Sequence, residues 1–516
     1  MKTISRRQLI QYGALGAGAL VVSNPLSELL RGPDQALAAT TATLNFTMTD
    51  AVKQMATHVQ KNVATCYFWC FKEATMPAEV PGPQIYATEG DSIPIVVTNA
   101  LPHPHAFAIP GIGFDTGSIA PGATYASNGT TKPHINVPLG KAGTYLYYDD
   151  LNEPVNRVMG LHGAFIVMPH GNVGPFSWSK YPYNLAVGHP VRQLYDDFGS
   201  AAWWPGLPWH VGSSLGKNPA PPFRQYVWLT HQASPVLFAE VGNYKPTASA
   251  PVYPAGRFVE AFLNDPFIAT SNDGRANTPK LDQFNRKPHF FTINGQSGHF
   301  CHNHPAITPM NRVGEPCLVR VINAGLYTHS MHIHANHVYV TSVDNVVSDN
   351  PPWVDVFFLH PMGHMDYTVP YMRPPDVPNA RGIGRGGSGD AALSTRANPP
   401  FPGFPGAASH PAWPPTEEFT MHHPQVGTIK KGFLSGNVDI AQPQSPLCYP
   451  MHDHSEPSQS TQGGNYNTAL ISGIYFIGDD SDPVHRSDFP IDAEFQMMLD
   501  LGGSTSATGP AAGKAP

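Results

Sequence analysis

The segments AGTYLYYDD (Ala142–Asp150) and GLHGAFIVMP (Gly160–Pro169) decide the fold class. Both are short runs rich in β-branched and aromatic residues, which favour β-strands. Similar runs lie before and after them, IPIVVTNA at Ile93–Ala100 and CLVRVINAG at Cys317–Gly325. In the first part of the chain no helical period competes with these runs. The sequence therefore predicts an all-β chain built from antiparallel β-sandwiches.

The composition limits the classes of partner. The chain of 516 residues is long enough for two to four domains, and it carries only 13% charged residues with a formal net charge of −7. It has no lysine/arginine run, and nucleic-acid binding needs a basic patch, so we expect no nucleic-acid partner. The 55 prolines and 48 glycines make up about a fifth of the chain. This fraction is below that of disordered proteins and suits short strands with long connections.

The pattern predicts two sandwich domains. We place the first at residues 41–170, a connector rich in Trp, Pro and Gly at 171–222, and the second at 223–480. A Pro/Gly-rich segment at about 372–415 interrupts the second domain; it cannot form a core strand, so we predict a surface loop or an ordered insertion. Residues 481–516 form a tail. A third domain within the connector is an alternative, although the connector has few strand-like runs.

The N-terminus carries the pattern of an export signal. A twin arginine lies in SRRQLI (Ser5–Ile10), an apolar stretch follows at Tyr12–Val22, and Ala36–Ala38 is a small-x-small cleavage signature. This order predicts a twin-arginine signal peptide at residues 1–38 and a periplasmic or extracellular protein. A membrane anchor is the alternative, but the apolar stretch is short for a span. We expect no membrane span in the mature chain.

Histidines recur in pairs with one residue between them. Side chains at positions i and i+2 of a strand point to the same face, and imidazole is a common metal ligand. One such pair is more often a polar strand surface than a metal site, but three pairs beside strand patterns favour metal binding. The three pairs are His103/His105, His332/His334 and His452/His454.

These motifs resemble those of the multicopper oxidase family. HSMHIHANH, which begins at His329, is similar to the family's HxxHxH signature, and AGTYLYYDD with GLHGAFIVMP is similar to the strand that leads to its GLxGxxIV motif. The resemblance covers about residues 41–477. It implies tandem cupredoxin-like Greek-key β-sandwiches. It also implies that His329 is a blue-copper ligand and that His332 and His334 are ligands of a three-copper cluster.

The chain departs from the family at the copper motifs. Tyr148 and Asp150 stand where the second signature has histidines, and Asp453 and Ser458 replace the cysteine and last histidine of the fourth signature, HCHxxxH. A blue-copper site needs a thiolate, which a carboxylate cannot replace. Cys448 is five residues from Asp453, about 17 Å along an extended strand, so a disulfide or a buried thiol is its expected role. We therefore predict no blue copper.

The resemblance implies that the histidine pairs converge between the two domains. The expected cofactor is copper, as one or more ions, with zinc or manganese as alternatives. Asp150 and Glu456 are candidate catalytic groups, for proton transfer or for orienting a ligand. The predicted metal ligands are His103, His105, His329, His332, His334, His452 and His454.

Three functions remain open. The first is an exported oxidoreductase that oxidises a small phenol or a metal ion, with O2 as a candidate oxidant. The second is a non-redox protein that binds copper or zinc for storage or tolerance, and the third is a structural module without metal. The resemblance also implies that a homotrimer is an option. A separate motif, HPMGHM (His360–Met365), could bind copper(I) but is more often an ordinary loop.

Overall fold

The structure is a computed structural model that describes residues 19–21, 43–56, 63–169, 181–198, 224–264, 286–298, 301, 307–311, 317–333, 338–369, 447–455, 457–458 and 470–476. The predicted insertion, the C-terminal tail, most of the predicted signal peptide and most of the connector lie outside the described residues. These boundaries stay predictions.

The first domain consists of two main sheets around an aromatic core. One sheet has the strand order β3-β2-β6-β9 and the other β1-β4-β12-β11-β7-β8, while β10 and β5 form a small ribbon. Phe71 and Tyr147, one from each main sheet, meet at 5.5 Å between ring centroids. The strands are β1 (Ala19–Val21), β2 (Leu44–Ala56), β3 (Val63–Glu73), β4 (Gln84–Thr88), β5 (Ser92–Ile93), β6 (Ile95–Asn99), β7 (Ala108–Ile109), β8 (Phe114–Asp115), β9 (Thr124–Ala126), β10 (Ile135–Asn136), β11 (Gly143–Tyr148) and β12 (His162–Met168).

The second domain repeats this design. One sheet has the order β14-β13-β16-β22-β18-β19, with β20 paired to β18, and the other has the order β15-β24-β23-β17-β21. The strands are β13 (Arg224–Ala233), β14 (Phe290–Ile293), β15 (Met310–Asn311), β16 (Cys317–Asn323), β17 (His329–Ile333), β18 (Val338–Val343), β19 (Val346–Val347), β20 (Trp353–Val354), β21 (Val356–Leu359), β22 (His364–Val369), β23 (Leu447–Asp453) and β24 (Ile471–Phe476). The all-β prediction is confirmed, with two tandem sandwiches.

The strand pairing is mixed rather than purely antiparallel. In both domains the first long strand lies parallel to a later one: β2 pairs with β6 and β13 pairs with β16. Parallel neighbours require a crossover connection, so the chain passes through the other sheet before it returns. Strand patterns within single segments could not reveal this, because they carry no information on pairing partners.

Short helices complete the structure: the 3-10 turn Pro110–Ile112 and the helices α1 (Val155–Val158), α2 (Pro190–Phe198), α3 (Pro235–Gly242) and α4 (Ala255–Asn264). Ser234 caps α3, since its hydroxyl accepts from the Leu237 N–H, and a proline follows it at the first helical position. In α4, Phe258, Ala261 and Phe262 are buried at helical spacing. The sequence analysis did not predict these helices. Among the described residues, no helix combines the length and apolar character needed to cross a membrane.

Helices α3 and α4 pack against the first domain although they follow it in sequence. Phe238 of α3 lies 5.5 Å from Phe68 of β3, measured between ring centroids. Both belong to the buried cluster that also contains Phe258 and Phe262. The second segment of the chain therefore contributes to the core of the first domain.

A second buried cluster joins the two domains. Leu146 and Ile166 of the first domain pack with Leu229 and Ile322 of the second, and Leu194 of α2 belongs to the same cluster. A buried ion pair of the second domain lies at the same interface: Arg320 Nη1 is 2.7 Å from Asp366 Oδ2. Two hydroxyls also donate to the carboxylate, Thr144 from the first domain at 2.7 Å and Tyr183 from the connector at 2.6 Å. This network fixes how the domains meet.

Removing one member of the buried pair should destabilise the protein strongly. We expect Asp366→Ala to lower the free energy of unfolding by about 3–5 kcal/mol, because it leaves the Arg320 charge buried without its partner. Urea unfolding followed by fluorescence measures this change. The matched control is Asp349→Ala, whose carboxylate is 99% exposed and pairs with His189; we expect no measurable change there. Equal stability of both variants would contradict the interpretation.

Candidate metal centre

Strands β17 and β23 position the candidate site. They pair antiparallel, with His332 directly opposite His452 and Met331 opposite Asp453. Residues directly opposite each other project to the same face, so the two imidazoles stand side by side. His454 is two residues beyond His452, and its backbone N–H donates to the Ser330 carbonyl at 2.6 Å. All three histidines therefore share one face of the sheet.

The three imidazoles form a compact group, called the histidine trio below. Ring centroids lie 5.5 Å apart for His332 and His452, 4.9 Å for His332 and His454, and 4.8 Å for His452 and His454. One nitrogen from each ring lies within 4.8 Å of the other two. His332 and His452 are partly buried and His454 is exposed, so the site opens to solvent. Among the described residues, these are the three potential metal ligands whose donor atoms lie close enough together to bind one ion.

The surroundings of His332 suit a metal ligand. Its Nδ1 lies 3.1 Å from the Asp355 backbone carbonyl, an acceptor for a ring N–H. Ligand histidines commonly make such a bond through one nitrogen and bind the metal through the other. Burial lowers the pKa of His332, and the positive charge that His454 can carry lowers it further. The ring therefore favours its neutral form, which is the form that binds metals.

The donor set fits a copper or zinc ion. Both metals accept imidazole nitrogens, whereas manganese prefers oxygen ligands. Three nitrogens around a tetrahedral ion at about 2.1 Å lie about 3.4 Å from one another. The trio nitrogens would have to approach one another by up to about 1.4 Å, a movement that small rotations of the side chains can provide. Metal binding is thus compatible with this strand pairing.

The opposite face of the same strands holds a buried group of hydrogen bonds between His329 and Asp453, called the polar lock below. His329 Nδ1 donates to Asp453 Oδ2 at 2.7 Å, and its Nε2 accepts from the Gln232 amide at 2.6 Å. The other oxygen, Asp453 Oδ1, accepts from the backbone N–H groups of Ser330 and Ser455. Both His329 and Asp453 are fully buried. Both ring nitrogens of His329 are therefore engaged within the protein.

Hydrogen bonding stabilises the ionised form of Asp453. Burial alone would favour the neutral acid, but the contacts with His329 and with two backbone N–H groups outweigh it. The net result is a pKa of Asp453 below its ordinary value of 3.8. The carboxylate stays ionised and holds the His329 N–H at the position where the resembled family has a thiolate.

The first domain contains the same lock. Asn99 donates to the His103 carbonyl and Asn323 to the Tyr327 carbonyl, both at 2.7 Å. Two residues after those carbonyls, His105 and His329 each contact a buried aspartate. The His105 partner is Asp149, at 2.5 Å. The two domains are thus related by a repeat that aligns Asp149 with Asp453.

The repeat also gives the first-domain counterpart of the histidine trio. Ala108 on β7 lies opposite Tyr148 on β11, in the same register as His332 opposite His452. Asp150 then corresponds to His454. The first domain contains the lock but has Ala108, Tyr148 and Asp150 at the positions that correspond to the trio.

The other predicted ligands lie elsewhere. His103 is half-buried and His105 is buried, and neither belongs to the trio. His105 Nε2 finds no hydrogen-bond partner among the described residues. His334 and Glu456 lie outside the described residues. Asp150 is half-buried, and burial, followed by repulsion from Asp115, raises its pKa.

Cys448 lies on the regular strand β23, whose register with β24 continues without a shift from Leu447 to His452. No bulge shortens the path between Cys448 and Asp453, which supports the prediction that this cysteine does not replace the missing thiolate.

Asp355 was not predicted from the sequence. Its role depends on the pairing of β17 with β21, for which the sequence gives no signal.

The buried lock should make the free energy of unfolding depend on pH in the acidic range. A group whose pKa is lower in the folded state stabilises the fold above its unfolded value and loses that effect as the pH falls. We expect the metal-free protein to lose stability below about pH 4, and Asp453→Asn to lose less over the same range. Urea unfolding between pH 5 and 2 measures both slopes. Asp349→Asn serves as the exposed control and should follow the wild type; identical slopes for all three would contradict a depressed pKa.

Comparison with known proteins gives one family match. Residues 65–172 match the multicopper oxidase family model. No curated protein matches the chain. Among solved structures, the blue copper oxidase from Nitrosomonas europaea is 14% identical with a TM-score of 0.44, over 89% of this chain and 94% of that one. The multicopper oxidase mgLAC is also 14% identical, with a TM-score of 0.43 and the same coverage. The copper nitrite reductase from Nitrosomonas europaea is 12% identical with a TM-score of 0.40, over 86% and 96%. Part of the first domain thus matches the family that the sequence motifs resemble, and this resemblance is confirmed.

Proposed function

We propose that the protein is a copper-binding oxidoreductase of the multicopper oxidase type, with the histidine trio as its copper centre and without blue copper. The observation that carries this proposal is the direct pairing of His332 with His452, which gathers three imidazoles on an open sheet face. By the motif resemblance, Asp453 stands where the family has the electron-entry cysteine, and its carboxylate accepts a hydrogen bond from His329. Copper, when bound, supplies one-electron oxidation of a substrate at this face.

The residues around the trio suit a small aromatic substrate that reaches the site directly. Val356 lies opposite His332 and Phe358 opposite Ser330, so both side chains share the face of the trio. Val356 is 41% exposed and Phe358 is 65% exposed. On the other side, Ile471 lies opposite His452. Apolar side chains on both sides can hold a phenol ring beside the imidazoles, which favours a phenol over a metal ion as substrate.

Several finer features belong to the same proposal. Asp150 keeps its proposed role as a candidate catalytic group for proton transfer, and burial raises the pKa of its carboxyl. Glu456 keeps its proposed role of orienting a ligand or relaying protons. Export by the twin-arginine route to the periplasm or beyond remains proposed. In a homotrimer a second copy could bring His103 to the trio, since one chain does not.

A non-redox copper- or zinc-binding protein is the second candidate. The open position of His454 supports it, because an exposed ligand allows rapid uptake and release of a metal ion. Oxygen uptake separates the two candidates. The oxidoreductase consumes O2 when a phenol is added to the copper-loaded protein, whereas a storage protein binds the metal and consumes none.

Copper binding should depend on the trio. We expect the exported protein to retain at least one copper per chain after dialysis, and His332→Ala/His452→Ala to lose one equivalent, because a single remaining imidazole cannot hold the ion. Mass spectrometry of metal content measures the stoichiometry. His189→Ala is the control, since this histidine pairs with Asp349 away from the trio. Equal copper content in all three proteins would reject the trio as the site.

The aromatic substrate site can be tested separately. We expect Phe358→Ala to raise KM for a phenol about 5-fold with kcat nearly unchanged, because the loss of about 1 kcal/mol of apolar contact weakens binding. Steady-state oxygen uptake at several phenol concentrations gives both constants. Val346→Ala removes another exposed apolar side chain, 72% exposed and outside this face, and should change neither constant. A change in kcat alone would contradict a binding role for Phe358.

A further inference from the structure

A cleft of about 320 Å³ opens between the two domains. The first domain contributes strand β11 and the residues just before it, and the second domain contributes the turn between β18 and β19 and the turn before β22. The trio lies on the other sheet of the second domain, so the cleft is a separate place in the fold. Ligand pockets usually measure roughly 300–1,000 Å³, so this cleft suits a small molecule rather than a large cofactor.

The walls of the cleft combine aromatic and apolar side chains from both domains. Tyr145 and Tyr148 line it from the first domain, and Met362 lines it from the second. Tyr148 and Met362 are partly buried and pack against the cluster that joins the domains. The Tyr145 ring lies 6.5 Å from the His364 ring, measured between centroids. An aromatic ligand can stack on such surfaces and contact the Met362 thioether.

Met362 is held in a backbone conformation that favours glycine. Its φ is 64°, and it occupies the third position of the turn from His360 to Gly363. The Gly363 N–H closes this turn by donating to the His360 carbonyl at 2.9 Å. Turns with positive φ at the third position usually carry glycine or asparagine there. A bulky side chain at a strained position indicates a use for that side chain, and this one lines the cleft.

The charged groups of the cleft favour an anion. Asp344 is engaged within the protein, because its Oδ2 lies 3.0 Å from His360 Nε2 and its Oδ1 accepts from the His364 backbone N–H at 2.9 Å. The other His360 nitrogen lies 2.9 Å from the Pro361 carbonyl, so these groups are not free to hold a cation. Lys141 also lines the cleft, and its ammonium has no ion-pair or hydrogen-bond partner among the described residues. A negatively charged ligand would give this ammonium a partner.

We propose that the cleft binds a small aromatic carboxylate of the benzoate type. The Lys141 ammonium pairs with the carboxylate, and the ring lies between Tyr148 and Met362. The Tyr148 hydroxyl has no hydrogen-bond partner among the described residues, so it is available to a polar substituent of the ring. The site uses no residue of the trio and is distinct from the proposed copper centre.

Calorimetric titration of the full-length protein with benzoate tests the site. We expect one equivalent to bind, and Lys141→Met to weaken binding about tenfold, the loss expected for one charge-assisted hydrogen bond. Benzyl alcohol has the same ring without the charge and should bind the wild type and Lys141→Met equally. Lys245→Met removes another exposed lysine, outside the cleft, and should change neither affinity. Equal benzoate affinity of the wild type and Lys141→Met would reject the site.

Met362→Gly distinguishes binding from packing. Glycine adopts the turn conformation without strain, which offsets the lost side-chain contacts. We therefore expect the Tm of the unliganded variant to stay within about 2 °C of the wild-type value. Benzoate and benzyl alcohol should both bind about fivefold more weakly, because the ring loses its contact with the thioether. Unchanged affinity, or a large fall in Tm, would show that Met362 serves the fold alone and would overturn the proposal.

A carboxylate can also coordinate a metal ion, so the benzoate titration is repeated with His452→Ala/His454→Ala. An affinity equal to that of the wild type supports the cleft as the binding site. Loss of binding in this variant would place benzoate at the trio and reject the cleft, as would the absence of binding to the wild type. These outcomes do not depend on whether the trio is an oxidase centre.

Discussion

The buried contact between Asp453 and His329 fixes both faces of the sheet that carries the candidate site. Asp453 binds the His329 ring through one oxygen and the backbone of Ser330 and Ser455 through the other. These bonds hold β17 and β23 in one register. The register, in turn, sets His332 opposite His452 on the outer face. A one-residue slip would turn the histidines to the core face, so the geometry of the trio depends on this inner lock.

The lock is present in both domains, which distinguishes the structural role of the aspartate–histidine pair from the proposed chemical role of the trio. Asp149 with His105 and Asp453 with His329 are buried pairs at equivalent positions. On the face behind its lock the second domain presents His332, His452 and His454, whereas the first domain presents Tyr148 and Asp150 at the corresponding positions. Because the buried aspartate–histidine pair is also present where these histidines are not, we interpret the pair as a structural element of the fold.

The sequence was sufficient for part of this description, and the reasons are physical. Strand alternation already places His332 and His334 on one face and His329 on the other, and the structure shows that alternation in the burial of β17. The missing cysteine could also be read directly. The pairing between distant strands could not be predicted from the sequence. For this reason the sequence did not show that His105 contacts Asp149 and does not join the trio. Helices α3 and α4 were missed because their apolar faces are short and pack on the other domain.

If the trio is the copper centre that we propose, the aspartate at position 453 decides where a substrate gives up its electron. A buried carboxylate that is hydrogen-bonded through both oxygens offers no covalent path from one face of the sheet to the other. Any oxidation at the trio must then begin on the trio's own face, beside Val356 and Phe358. That face is open, and His454 is exposed on it. An open centre favours direct contact with small molecules, whereas a relay through the protein requires a buried one. The same exposure that would admit the proposed phenol substrate would also admit free metal ions, so metal binding and turnover have to be measured separately.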